Sequence, residues 1–264
     1  EFVMADAIEN DAQVVIAGSP IHCNHPRLAA ASIVRAGLKP VLVLWGSAPT
    51  EMFTGNLLLD HLLGADIHVV ENQDYRSNYS EVYEEIASGY NSRGEKPYVI
   101  DLQSSSVPLA AVGTVNLALE LWEQFRDGDW FPDHIFVTTT SGGTQSGLVL
   151  GAKCLGFSSS IIGVSLREDH NEACRRLAKF SNQTATLLGL DVMLSEDDIL
   201  LDSSLSAEGD RPSQASIQAL RLMAETEAIF LSPGYTGKIM ASLLGMKKRD
   251  EIKDGSKVLL IHTG

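Results

Sequence analysis

Apolar strand-like runs and helical stretches take turns along almost the whole chain, and that alternation constrains its fold more than any other feature. The β-branched and aromatic runs at 13–17, 40–45, 67–70, 98–100, 135–139, 160–165 and 258–261 read as buried strands. Between them, 26–36, 57–63, 81–87, 109–125, 148–155, 171–188, 213–225 and 237–246 carry helical patterns, and a short apolar run occupies 228–231. Strands that alternate with helices predict parallel sheets with helices on both faces, joined by right-handed crossovers. A Ser-rich break at 103–108 separates two such blocks. The expectation is an α/β chain of two three-layer α/β/α domains with mainly parallel sheets, and a ligand cleft where their strand ends meet. The stretch 197–213 is the longest without periodicity, and it reads as a surface excursion or a lid.

Composition narrows the ligand. A chain of 264 residues with 44% hydrophobic and 20% charged residues is globular in character. Its net charge of −14 argues against nucleic acid and against an anionic membrane surface, both of which need basic patches. No apolar run reaches the roughly 20 residues of a membrane helix, and no export signal opens the chain, so a cytoplasmic setting is expected. Cys23, Cys154 and Cys174 lack paired spacing, and the seven histidines form no metal-type pair, so neither a disulfide framework nor a metal site is expected.

The most informative local motif is Ser141-Gly142-Gly143-Thr144-Gln145-Ser146-Gly147, a Gly-rich turn between a strand and a helix. Glycines let such a turn aim successive N–H groups at one point, and a helix N-terminus favours an anion there. A phosphate is the natural guest, although Gly-Gly turns of this kind also occur without one. Neither the Lys-bearing nucleotide loop nor the dinucleotide fingerprint is present. Three other segments stand at positions where open α/β sheets place ligands: 19–27, 103–106 and 232–238. Taken singly, Asn24 and Thr236 read as helix caps and Tyr235 as a packed aromatic with a solvated hydroxyl.

Together the four segments resemble a known family. Cys23-Asn24-His25-Pro26-Arg27, Gly55-Asn56-Leu57-Leu58-Leu59-Asp60, the Ser141 loop, Tyr235-Thr236-Gly237-Lys238 and Ile261-His262-Thr263-Gly264 match its motifs in order. So does the opening Glu1-Phe2-Val3-Met4-Ala5-Asp6-Ala7. The chain is similar to the pyridoxal-phosphate enzymes of the aminocyclopropane-carboxylate deaminase and D-cysteine desulfhydrase family, which share the tryptophan synthase β-like fold (fold type II). The resemblance spans essentially the whole chain. It implies a smaller domain over 12–107 and a larger cofactor-binding domain over 108–264, with 1–11 part of the larger one. It also implies pyridoxal 5′-phosphate as cofactor, a small amino acid as substrate and a homodimer as the assembly.

The resemblance also implies residue roles. The backbone of Thr140, Ser141, Gly142, Gly143 and Thr144 would hold the cofactor phosphate, and Asn24 would bond the cofactor's phenolic oxygen. Thr236 would face the pyridine nitrogen, where the deaminases carry Glu. Cys23, His25 and Ser105 would meet the substrate, and Tyr235 would be the catalytic tyrosine. A neutral Thr236 makes the ring a weaker electron sink and favours expulsion of a β leaving group. That implies β-elimination of D-cysteine or a relative to pyruvate, ammonia and sulfide. The alternative is ring-opening deamination of 1-aminocyclopropane-1-carboxylate to 2-oxobutanoate and ammonia, for which Val107-Pro108-Leu109-Ala110-Ala111-Val112-Gly113 speaks.

Four departures qualify the match. The family's cofactor-linking lysine falls upstream of Glu1, so an N-terminally truncated sequence is expected, or else a non-catalytic relative that binds cofactor or amino acid without it. Lys238, near Tyr235, is expected to be a solvated or helix-surface lysine. Cys23 stands for a family Ser and Gln103 for a Gly. Gly209-Asp210-Arg211-Pro212 takes the place of a Gly-Tyr-x-x-Pro motif.

Overall fold

A computed structural model describes residues 1–47, 53–71, 75–166 and 169–263, with only the backbone of 75–78; Gly264, the last residue of the closing motif, lies outside the described residues. The chain divides into two compact units, Glu1–Ser106 and Val107–Gly264.

In the first unit, helix α1 (Phe2–Glu9) is followed by β1 (Val14–Pro20), α2 (Asn24–Arg35), β2 (Lys39–Trp45), α3 (Gly55–Leu62), β3 (Asp66–Val70), α4 (Tyr75–Ser92) and β4 (Pro97–Val99). The four strands form one parallel sheet in the order β3-β2-β1-β4. Successive β1 residues face opposite layers. Val15 and Ala17 pack with Ala30 and Ile33 of α2, whereas Val14 and Ile16 pack with Tyr83 and Tyr90 of α4. Covering both faces is why β1 and β2 read as continuous apolar runs rather than as alternating ones.

The second unit repeats the scheme. Its elements are α5 (Val107–Asp127), β5 (His134–Thr139), α6 (Gly143–Leu155), β6 (Ser160–Ser165), α7 (His170–Leu187), a 3₁₀ turn (Glu196–Asp198), β7 (Leu200–Asp202), α8 (Gln214–Glu227), α9 (Thr236–Lys248) and β8 (Val258–Leu260). The sheet is parallel in the order β7-β6-β5-β8. Ile135 and Val137 face the layer of α5, α6 and α7, and Phe136 faces Ile239 of α9. Helix α6 is buried on all sides because small residues let α5 close on it. A Cβ on Gly147 would lie 2.0 Å from Thr114 Oγ1 and 2.2 Å from the Ala111 carbonyl.

Four sequence expectations are corrected. Residues 1–11 do not join the second unit: Met4 and Ala7 sit in the core of the first, and the Tyr98 hydroxyl donates to the Asp6 carboxylate. Helix α6 begins at Gly143, five residues before the expected 148, so only Ser141 and Gly142 of the Gly-rich motif precede it and the rest forms its first turn. The aperiodic stretch 197–213 contains the edge strand β7, too short at three residues to show a period. The run 228–231 is not a strand. Ala228 takes φ +55 and ends α8, and Ile229 and Phe230 are exposed while Leu231 alone of the run turns inward. Among the described residues, no helix is long and apolar enough to cross a membrane.

Candidate functional site

The start of α6 has the backbone features that suit an anion. Chain direction reverses at Gly142, which takes φ +102, a left-handed conformation open chiefly to glycine. A Cβ there would also meet Leu177 Cδ2 at 2.6 Å. No side chain caps the helix, so its first-turn amides keep no intrahelical acceptor and the dipole adds positive potential. Buried groups hold the turn rigid. Thr139 Oγ1 donates to Gln145 Oε1 at 2.6 Å, and Gln145 Nε2 donates to the Leu200 carbonyl at 2.9 Å. From α7, Arg176 Nη2 donates to the Thr140 carbonyl at 3.1 Å and brings a guanidinium to the same turn. The uncapped, glycine-shaped start fits a phosphate ester.

In the same unit, Tyr235 caps α9 and Thr236 is its first residue. Thr236 is buried, and its Oγ1 accepts from the Ser232 amide at 2.8 Å, so the hydroxyl ties the preceding loop to the start of α9 rather than capping the helix's own first-turn amides. The Tyr235 hydroxyl donates to Asp210 Oδ2 at 3.4 Å. Asp210 thus stands beside the tyrosine from the loop that departs from the family motif.

Lys238 overturns its expected placement. It is fully buried, and its ammonium donates to the carbonyls of Gly209 at 2.6 Å and Leu205 at 3.1 Å, with Glu208 Oε2 at 3.9 Å. Burial pushes its pKa below the ordinary lysine value, while Glu208 and Asp210 pull the other way. One turn beyond Tyr235, the side chain points into the unit and fastens the 205–210 loop. An amine bound to two carbonyls is poorly placed to act as a nucleophile.

In the first unit, Cys23 is the N-cap of α2 and Asn24 and His25 are its first residues, so three predicted site residues share one helix start without a side-chain cap. Asn56, at the start of α3, organises them. Its Nδ2 donates to Asn24 Oδ1 at 2.8 Å and to the carbonyls of Cys23 at 3.1 Å and His22 at 3.2 Å, while its Oδ1 accepts from Arg27 Nε at 3.3 Å. Burial pushes the His25 pKa down to about 4, and its Nε2 has no partner among the described residues, so the ring is neutral at pH 7. Asp60 is fully buried, and neither of its oxygens has a partner among the described residues. Burial raises its pKa to about 6 against the opposing charge of Arg27. Ser105 is exposed in a turn shaped by Asp101, which accepts from the Gln103 amide at 2.7 Å and from the Ser104 hydroxyl.

Sequence reasoning quoted Asn56 only as part of a motif and missed its role, which depends on a contact 32 residues away. It also missed Arg176, whose position on α7 carries no motif at all.

With this geometry in place, comparison with known proteins decides the family. The model of the pyridoxal-phosphate-dependent enzymes matches residues 1–264. The chain belongs to that family. Its cofactor is pyridoxal phosphate, and its fold is the tryptophan synthase β-like fold, type II. A probable 1-aminocyclopropane-1-carboxylate deaminase of Cryptococcus neoformans var. neoformans serotype D is 30% identical over 269 residues, covering 100% of this chain and 78% of that protein. A 1-aminocyclopropane-1-carboxylate deaminase of Rhizobium leguminosarum bv. viciae is 29% identical, covering 100% of this chain and 79% of that protein. A solved structure described as an ACC deaminase homologue superposes with a TM-score of 0.85 at 30% identity, covering 100% of this chain and 77% of that one. O-ureido-L-serine synthase, at 14% identity and a TM-score of 0.66 over 98% of this chain and 75% of that one, shares the fold.

Proposed function

We propose that this member of the family is a lyase that eliminates a β leaving group from a small amino acid, D-cysteine or a relative. Water enters, and pyruvate, ammonia and sulfide leave. The observation that carries this reading is Thr236: buried, with its hydroxyl oxygen accepting from the Ser232 amide, it offers a neutral group where the deaminases carry Glu. A neutral partner leaves a pyridine nitrogen unprotonated, which suits a short-lived carbanion that expels its leaving group at once.

Bound pyridoxal phosphate supplies an electron sink for the pair released at Cα. In this reading the amides of Ser141, Gly142, Gly143 and Thr144, with Thr140, hold its phosphate, and Asn24 donates to its phenolic oxygen. The uncapped start of α2, with Cys23 and His25, and the exposed Ser105 bind the substrate carboxylate. A neutral His25 offers hydrogen bonding there without a second positive charge. Tyr235 moves a proton, its own hydroxyl hydrogen directed at Asp210. The protein works as a homodimer in the cytoplasm, and light scattering that returns a monomer would remove the first of these.

A second reading is ring-opening deamination of 1-aminocyclopropane-1-carboxylate to 2-oxobutanoate and ammonia. The relatives at 29–30% identity bear that name, which supports it. Incubating the protein with each substrate and identifying the 2-oxo acid separates the two. Pyruvate with sulfide from D-cysteine is the expected result. Release of 2-oxobutanoate without pyruvate would overturn the first reading in favour of the second.

A further inference from the structure

Four contacts around Asn56 determine which way the Asn24 side chain points. A carboxamide has one donor end and one acceptor end, and only its hydrogen-bond partners distinguish them. Arg27 Nε can only donate, so the Asn56 atom 3.3 Å from it is the oxygen. The carbonyls of His22 and Cys23 can only accept, so the Asn56 atom at 3.2 and 3.1 Å from them is the amine. These constraints come from opposite sides and agree. The amine of Asn56 therefore also faces Asn24, at 2.8 Å, and the Asn24 atom that receives it is the oxygen. The acceptor end of Asn24 is thereby turned toward Asn56 inside the unit, and its Nδ2 amine is the end that points away from Asn56.

We propose that Arg27 and Asn56 are positioning residues that lock the Asn24 carboxamide with its amine outward, as a donor to an acceptor oxygen on the cofactor ring. The proposal rests on the reading above that Asn24 meets the phenolic oxygen of the cofactor. That oxygen is an acceptor when ionised, so a flipped Asn24 would set two lone-pair-bearing oxygens against each other. Preorganisation is the gain. The amide is held in the productive orientation before the ligand arrives, and no rotamer freedom is lost at binding. Arg27 acts at one remove, by keeping Asn56 from turning round.

The test uses pyridoxamine 5′-phosphate, which carries the same ring oxygen and phosphate but no aldehyde, so its affinity does not depend on a covalent link to a lysine. Inorganic phosphate serves as the second probe, and both are measured by calorimetry on the full chain. Asn56→Asp removes the donor to Asn24 and offers an acceptor instead, inviting the flip. It is expected to weaken pyridoxamine phosphate binding by about 30-fold, with inorganic phosphate affinity unchanged. Asn56→Ala, which removes the lock without adding charge, and Arg27→Leu are expected to weaken it by about 3- to 10-fold. In the Asn24→Ala background, Asn56→Asp should have no further effect, because a residue that acts only through Asn24 has nothing left to orient.

Wild-type affinity in Asn56→Asp and Asn56→Ala would overturn the proposal. So would an additive loss in the double variant, or an equal loss for inorganic phosphate, since either would mark a general disturbance of the fold. If Asn24→Ala binds pyridoxamine phosphate as wild type does, the Asn24 contact itself fails, and with it the reading on which this proposal stands. That outcome is distinct from the others because it appears without any change at Asn56.

Discussion

Lys238 in the second unit and Asp60 in the first show two opposite ways to bury an ionisable side chain. In the second, Lys238 has no exposed surface, yet its ammonium meets two carbonyls and lies near Glu208. In the first, Asp60 is fully buried and His25 is half-buried with its Nε2 enclosed, and among the described residues neither Asp60 oxygen nor that nitrogen has a hydrogen-bond partner. The consequences diverge. Lys238 keeps its partners satisfied and fastens a loop. Asp60 and His25 are pushed toward their neutral forms, the first to a pKa of about 6 and the second to about 4. Burial alone therefore does not decide whether a charge survives; the supply of partners does.

The largest effect expected from this contrast is at Lys238. Replacing it with Met keeps the stem but strands the Leu205 and Gly209 carbonyls without their donor. About 3 kcal/mol of stability should be lost, lowering Tm by roughly 6–12 °C for a unit of this size. Amide exchange in residues 205–211 should rise with it. A Tm within about 2 °C of wild type would show that the ammonium is not fastening the loop.

A smaller effect, of opposite sign, is expected at Asp60. Its folded pKa lies above the ordinary value of 3.8, so its protonated form belongs to the folded state. The destabilisation it causes is absent below about pH 4, grows as pH rises through about 6, and is constant above that. Asp60→Asn should stabilise the protein by about 2 kcal/mol at pH 7.5 and by little at pH 4. His25 works the other way. Its folded pKa lies below 6.5, so its contribution is full above that pH and is lost as pH falls toward about 4. In wild type the two slopes oppose each other between pH 4 and 6; in Asp60→Asn the His25 slope should stand alone. Thermal melts from pH 4 to 8 read both. A pH-independent gain from Asp60→Asn would mean that the buried carboxyl is not the titrating group.

Much of the fold was legible because both sheets are covered on both faces. Continuous apolar strands such as 40–45 and 160–165, alternating with helices, have few other solutions. What escaped depended on contacts across long separations. Lys238 read as a surface residue because nothing in Tyr235-Thr236-Gly237-Lys238 shows that the 205–210 loop folds over it. Strand β7 was invisible at three residues, and nothing in the apolar run at 228–231 showed that Phe230 faces solvent while Leu231 is buried. At the site, the α6 motif was readable because backbone geometry needs glycine, and glycine is a visible letter. Asn56 and Arg176 act through a partner on another helix or loop, and no local pattern marks such a partner.

The central claim is that the start of α6 holds the cofactor phosphate while Thr236 faces the pyridine nitrogen. A crystal structure of the protein with bound pyridoxal phosphate tests both at once. The phosphate oxygens are expected at about 2.7–3.2 Å from the amides of Gly142, Gly143 and Thr144, with the ring nitrogen within hydrogen-bond distance of Thr236 Oγ1. A phosphate bound away from that turn, or a ring nitrogen paired with a carboxylate, would contradict the account.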